Sequence, residues 1–265
     1  MKKWLRNTIL LNQIIGLNSI AVSQTTKSSN SITISAPDWP PYYIDQTKEP
    51  GDLKGFGWEI SNMCSIKLGL SPKFEQFPIR RMFKEMEKGA LELNIMSFKA
   101  DREKAVSYGK EVVFSNSYGL WTRTGLQRIP KTFTDLDTLT LAELVGLRTS
   151  DAFREYLDRR HKMSGDSKIQ TLSETDAIAK MLASSRVDAA VTSNAEMRYR
   201  LKKLGLTSKV SQAPLNVTTQ DYFFVISKNS KILKTQPDIV VKFDQCVRQL
   251  KSNGIFEKLA NKYSI

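Results

Sequence analysis

Apolar residues recur along this chain with two periods, and the switches between them lay out its elements. The alternation Ile32, Ile34 in residues 32–35 predicts a short strand, broken by Pro37, Pro40 and Pro41. After Gly55-Phe56-Gly57, the positions Ile60, Met63, Cys64 and Leu68 share one face at helical spacing. A second helix turns Met82, Phe83 and Met86 inward and closes at Gly89. Residues 93–96 read as a buried strand that ends in a loop at Ser97, passes a short polar helical turn around Arg102, and returns through Phe114, Ser115 and Tyr118.

The second half of the chain repeats this alternation. Residues 120–123 form a strand, and Val145-Gly146-Leu147 reads as a strand running into a helix start at Thr149 and Ser150, with Phe153, Tyr156 and Leu157 on the inner helix face. Ser173 caps a helix with Ala177, Ile178, Met181 and Leu182 inward, and 187–191 is an apolar strand. Residues 220–227 are rich in aromatic and β-branched residues, as strands are. Two helices close the chain, one through Ile239, Val240, Phe243, Val247 and Leu250, the other after Gly254 through Ile255, Phe256, Leu259 and Tyr263. Strands alternating with helices imply an α/β protein with largely parallel sheets, which hold ligands at the carboxyl ends of their strands.

Composition narrows the function. Lys2, Lys3 and Arg6 precede an apolar run over 8–22 and an Ala21-Val22-Ser23 cleavage pattern, so residues 1–23 are expected to be a secretory signal peptide. The run contains Asn12, Gln13 and Asn18, which makes it a poor membrane span. The expected location is therefore the periplasm. The net charge is +13, or +10 without the three signal-peptide cations. Such a surface attracts anions. Nucleic acid is nevertheless excluded as a partner, because the basic residues are spread along the chain without a stripe interleaved with aromatics. Cys64 and Cys246 both fall at core-facing helical positions and are compatible with a disulfide or with two buried thiols. A single histidine, His161, leaves metal and Ser-His-Asp chemistry poorly supplied, and no cofactor is expected. The Gly55/Gly57 pair lacks the third glycine and preceding strand of a dinucleotide loop.

The stretch 94–119, NIMSFKADREKAVSYGKEVVFSNSYG, resembles the strand, loop and "FSDPY" segment of the bacterial extracellular solute-binding proteins, family 3. The resemblance extends to Gly55–Ile60 against "GFDVDL", to residues 145–150 against "VGVQxGT", to residues 185–193 against "GRVDAVVxD", and to the ending KSNGIFEKLANKY. It implies a two-lobed periplasmic-binding-protein fold of type II, each lobe a mainly parallel sheet flanked by helices and joined by two crossover strands. Residues 24–117 with 221–265 would form lobe 1, and 118–220 lobe 2. It also implies that Ser97 and Arg102 contact the ligand's carboxylate, the planar guanidinium matching it bidentately. Trp39, two residues before Pro41, would stack on the ligand. Thr149 and Ser150 would offer backbone N–H groups at a helix start, with Ser150 or Asp151 as the cap. Tyr118 joins the expected lining, and Arg80 or Arg81 is a candidate for the cleft.

Two positions depart from the family. Ser193 stands where an aspartate grips the ligand's α-amino group, with Asn194, Glu196 and Asp38 as nearby polar substitutes. Lys99 replaces a threonine three residues before the anchoring arginine. The expected function is that of a monomeric solute receptor that captures a small carboxylate-bearing ligand by hinge closure. It would serve ABC-type uptake through a membrane permease, or sensing. An enzyme on the same fold, similar to cyclohexadienyl dehydratase with Glu196 as acid, and a sensory ligand-binding module are the alternatives.

Overall fold

The computed structural model describes residues 30–164 and 168–265, so the expected signal peptide at 1–23 lies outside the described residues. The elements in chain order are β1 (Ser31–Ser35), α1 (Phe56–Lys67), β2 (Ser71–Glu75), α2 (Ile79–Lys88), β3 (Leu93–Ser97), β4 (Val106–Arg123), β5 (Leu141–Leu144), α3 (Asp151–Ser164), β6 (Ile169–Leu172), α4 (Thr175–Ala183), β7 (Ala189–Ser193), α5 (Asn194–Leu204), β8 (Val210–Ser227), α6 (Lys231–Thr235), α7 (Ile239–Ser252) and α8 (Ile255–Tyr263). Among the described residues, no helix is long and apolar enough to cross a membrane.

The eight strands form a sheet of order β2-β1-β3-β8-β4-β7-β5-β6. Its outer parts are parallel: β1 pairs with β2 and β3, and β5 with β6 and β7. Two 18-residue strands, β4 and β8, run antiparallel through the middle and serve both halves. The first part of β4 pairs with the last part of β8 (Val106 with Ser227). The last part of β4 pairs with the first part of β8 (Arg123 with Val210). Bulges at four places along this ladder accommodate the twist that so long a pair accumulates.

Each half has its own core. Ile32, Ile34, Leu93 and Phe224 pack with Ile60 of α1 and Phe243 and Val247 of α7. Leu120, Leu141, Val191 and Phe153 gather on one face of the other half, and Ile178, Leu182, Val187 and Met197 on the opposite face. Cys64 of α1 and Cys246 of α7 are buried and joined as a disulfide with a Cα–Cα distance of 5.7 Å, which decides between the two readings of the cysteine pair.

The glycine pair before α1 serves packing. Gly55 has φ +110°, and a Cβ there would stand 2.4 Å from the Tyr42 carbonyl oxygen. The amides of Phe56 and Gly57 donate to the carbonyls of Pro41 and Tyr42, so the loop after β1 is clamped onto the helix start.

Several element boundaries differ from those the sequence suggests. The strand expected at Val145–Leu147 lies earlier, at Leu141–Leu144, because Gly146 takes a left-handed φ of 78° and turns the chain out of the sheet. Glu174, in extended conformation, rather than Ser173, is the N-cap of α4. Ser150 does cap α3, its Oγ accepting from the Phe153 amide at 3.1 Å. The edge strands β2 and β6 carry no clear apolar alternation; Pro72 and Lys73 in β2 suit an edge that must resist further pairing.

Candidate ligand-binding cleft

The register of the central strands fixes where the site lies. Ser97 ends β3 opposite Tyr222, and Ser193 ends β7 opposite Tyr118. β3 and β7 run in opposite directions, and each ends beside the middle of the β4–β8 ladder. There the Tyr118 and Tyr222 hydroxyls share a hydrogen bond of 2.5 Å. A cavity of about 660 Å³ opens at this point. Its walls are the segments that follow the strands: Pro37–Trp39 after β1, Gln76–Pro78 after β2, Ser97 of β3, Val145–Arg148 after β5, Ser173–Asp176 after β6 and Thr192–Ser193 of β7. The carboxyl ends of six parallel-type strands thus converge on one space, as open α/β sheets dictate.

One end of the cavity is basic. The Arg102 amide donates to the Lys99 carbonyl, which closes a short turn and aims the side chain back at β3. Its Nη1 donates to the Ser97 carbonyl at 3.0 Å, and its guanidinium lies 4.4 Å from the Phe83 ring centre. The Tyr108 hydroxyl donates to the same carbonyl at 3.1 Å. Among the described residues no carboxylate forms an ion pair with Arg102, so the outer edge of its donor fork is available to an anion.

The floor is aromatic. Trp39 rests against Tyr42 and Tyr222 at ring-centre distances of 4.5 and 5.1 Å, and Phe114 stacks between Tyr42 and Tyr222 at 4.1 and 4.9 Å. Burial pushes the Tyr42, Tyr118 and Tyr222 hydroxyls up from their ordinary pKa, so they remain protonated hydrogen-bond donors. Ser193 is buried; its Oγ donates to Asn116 Oδ1 at 2.9 Å and accepts from the Glu196 amide as the N-cap of α5.

The opposite end is crowded with charge. Asp38, Asp176 and Glu196 line it together with Arg200. Glu196 is pushed up to about 7, chiefly by burial, with Arg200 and Thr175 opposing and Asp38 and Asp176 adding to the rise. Arg200 side chain atoms are only 5% exposed, and they reach Asp38 at 2.9 Å, Glu49 at 3.0 Å and Asp176 at 3.2 Å.

Ser97, Arg102, Trp39, Tyr118 and Ser193 therefore all reach the cavity wall. Three other expected residues stand elsewhere. Thr149 is buried with its carbonyl accepting from Lys99 Nζ at 3.2 Å and Gln220 Nε2 at 2.7 Å. Neither it nor the capping Ser150 is part of the lining, whereas Gly146 and Arg148 are, because the left-handed turn at Gly146 brings the loop inward ahead of the helix. Arg81 points outward, 66% exposed, beside Glu85 and the Phe77 ring, since it falls on the solvent face of α2 when Met82 and Met86 fall inside. The Arg80 side chain lies outside the described residues. Lys99 is half-buried beside the basic end but outside the lining, and burial lowers its pKa first, with Arg148 and Arg102 adding to the fall and Asp151 opposing it.

Arg200, Asp176 and Tyr222 were not expected in the site. Arg200 carried one signal: it is four residues after Glu196, so a helix that seats Glu196 toward the cleft presents both on the same side.

The sequence profile of the bacterial extracellular solute-binding proteins, family 3, matches residues 32–264. The chain belongs to this family. A probable amino-acid-binding protein of Bacillus subtilis (strain 168), YxeM, is 22% identical over 218 residues, covering 82% of this chain and 78% of that protein. Among solved structures, an ancestral arginine-binding protein bound to arginine superposes with a TM-score of 0.72 at 19% identity, covering 88% of this chain and 98% of the other. An ancestral amino acid-binding protein described as a precursor of cyclohexadienyl dehydratase superposes with a TM-score of 0.70 at 19% identity, covering 88% and 95%. The solved structures establish the periplasmic-binding-protein fold for this family 3 member.

Proposed function

We propose that the protein is a periplasmic receptor, with lobes formed by 24–117 plus 221–265 and by 118–220, that closes on a small carboxylate-bearing solute for ABC-type uptake or sensing. The observation that carries this reading is Arg102: a guanidinium on the cavity wall, steadied by the Ser97 carbonyl and the Phe83 face, with no carboxylate in an ion pair with it among the described residues. A carboxylate seated there gains charge-assisted bonds that strengthen as closure removes water. The solute's ring or apolar part rests on Trp39, and the absence of a carboxylate at Ser193 disfavours a free α-ammonium at that point. A ligand that touches both lobes favours the closed form by its differential affinity.

The test is to purify the protein with its co-purifying solute, identify that solute by native mass spectrometry, and measure its affinity for wild type and Arg102→Ala. Truncation of a buried charge-assisted pair costs about 2–4 kcal/mol, a loss of about 30-fold to 1000-fold. Unchanged affinity, with the fold intact by circular dichroism, sinks the assignment.

A second reading is favoured by one observation, the buried Glu196 pushed up to about 7 on the cavity wall, where a carboxylic acid holds a transferable proton near neutral pH. A dehydratase of cyclohexadienyl carboxylates would release an aromatic product. Incubation with such a substrate and ultraviolet detection of aromatisation, in wild type and Glu196→Gln, separates this activity from capture alone.

A further inference from the structure

The acidic end of the cavity already holds a cation. Arg200, on α5, is a buried guanidinium whose Nη2 is 2.9 Å from Asp38, whose Nη1 is 3.0 Å from Glu49, and whose Nε is 3.2 Å from Asp176 and 3.9 Å from Glu196. These carboxylates come from three separate segments: the loop after β1, the first turn of α4, and α5 itself. The nearby lysines bind from outside: Lys203 reaches Glu49 at 2.6 Å, and Lys48 reaches Asp38 at 3.2 Å and Glu174 at 2.9 Å. Both lysines are more than a third exposed, whereas the Arg200 side chain is 5% exposed, so Arg200 is the cation that neutralises the interior of the cluster. Its fit is incomplete. Arg200 Nε and Asp176 Oδ1 are both buried without a partner in hydrogen-bonding geometry.

We propose that Arg200 is a specificity-determining residue that fills a cation subsite from within the chain, so that the cavity rejects solutes bearing a guanidinium or ammonium at this end and takes their neutral or anionic counterparts. Asp38, Asp176 and Glu196 line this end and would face any cationic solute group placed here, but the position within reach of all three is occupied by the Arg200 guanidinium. At the other end Arg148 is paired with Asp101 at 2.8 Å, which leaves Arg102 as the lining arginine that forms no ion pair among the described residues. The same arrangement predicts that removing the guanidinium leaves the buried Glu196 and the partly buried Asp38, Glu49 and Asp176 without their shared counterion, a state that a soluble cation of the same shape relieves.

This inference rests on the cavity being a solute site, but its test does not require the native solute. Thermal unfolding of wild type, Arg200→Ala and Arg200→Gln is followed with ethylguanidinium chloride at low millimolar concentration, with ethylammonium chloride and sodium chloride at equal ionic strength, and with arginine. Wild type should respond to ethylguanidinium and arginine no more than to sodium. Arg200→Ala should melt below wild type and regain several degrees with ethylguanidinium, more than with ethylammonium, because only the planar fork reproduces the lost contacts. Arg200→Gln, which keeps part of the side-chain volume, takes its place if the alanine variant does not accumulate. Binding of ethylguanidinium or arginine by wild type overturns the proposal. So does a truncated variant that ethylguanidinium stabilises no more than sodium does. Failure of the carboxylate-receptor reading shows separately, in an Arg102→Ala variant that keeps full affinity for the co-purified solute.

Discussion

Glu196 makes the stability of this protein depend on pH in a direction opposite to the usual carboxylate. The residue is 5% exposed and its pKa is pushed from 4.5 up to about 7, with burial as the largest cause. A displacement of that size corresponds to about 3 kcal/mol of preference for the protonated form. Between about pH 4.5 and pH 7 the native state keeps a proton that the unfolded chain has released. The unfolding free energy therefore falls as pH rises through that window and levels off above it. Glu196→Gln preserves the shape and removes the titration. Other groups titrate in both proteins, so the informative quantity is the difference between variant and wild type. Urea unfolding at pH 5, 6, 7 and 8 should show that difference moving in favour of the glutamine variant by about 3 kcal/mol between pH 5 and pH 8, with m-values matched. A difference that stays constant across the series would refute the claim that Glu196 is held protonated by burial.

Three further outcomes are expected. Arg102→Lys should recover little of the affinity lost in Arg102→Ala, because an ammonium cannot present the paired donors of the guanidinium; equal binding by the lysine variant would show that charge alone suffices. The Cys64–Cys246 bridge closes a separation of 182 residues, and in the chain-entropy model removing it with a double serine variant lowers stability by about 5 kcal/mol. Mass spectrometry under denaturing, non-reducing conditions should find neither cysteine open to alkylation. In a calorimetric screen of the twenty amino acids beside organic acids and small peptides, carboxylates without a free α-ammonium should bind best; micromolar binding of a standard amino acid with its ammonium near Ser193 would show the specificity argument to be wrong.

The parts of this molecule that were legible in the sequence are those governed by local periodicity. The apolar faces of α1, α2 and α7 and the continuous run of β3 state their burial directly, and each packs as its pattern demands. What could not be read locally depends on long-range pairing. β4 and β8 are each interrupted by polar and glycine positions, so their 18-residue lengths emerge only from their pairing with one another. The misplaced strand before α3 has the same origin: Val145 and Leu147 are apolar enough for a strand, but β5 ends where its partner β6 ends, and Gly146 turns away. In the site, Arg102 and Ser97 sit a fixed five residues apart on one turn and could be found together. Arg200, Asp38, Glu49 and Asp176 come from three segments that only the assembled sheet order brings within reach of one another.

The same geometry bears on how capture would operate. Polar contacts span the cavity between its two sides: Lys48 to Glu174 and Asp101 to Arg148 at the rim, and Arg200 to Asp38 and Glu49 inside. The rim pairs are about half exposed on both partners, so each is worth at most about 1 kcal/mol and is screened by salt. Inside, the desolvation of Arg200 and its carboxylates offsets much of their attraction. Bridges of this kind align the two sides without locking them. On the proposed capture by closure, the driving force would come from the solute, through contacts made at once with Arg102 and the aromatic floor on one side and with the β5 and β7 ends on the other. Raising the salt concentration should therefore weaken closure of the empty protein, measured as a change in radius of gyration by solution scattering, more than it weakens closure of the solute-bound form.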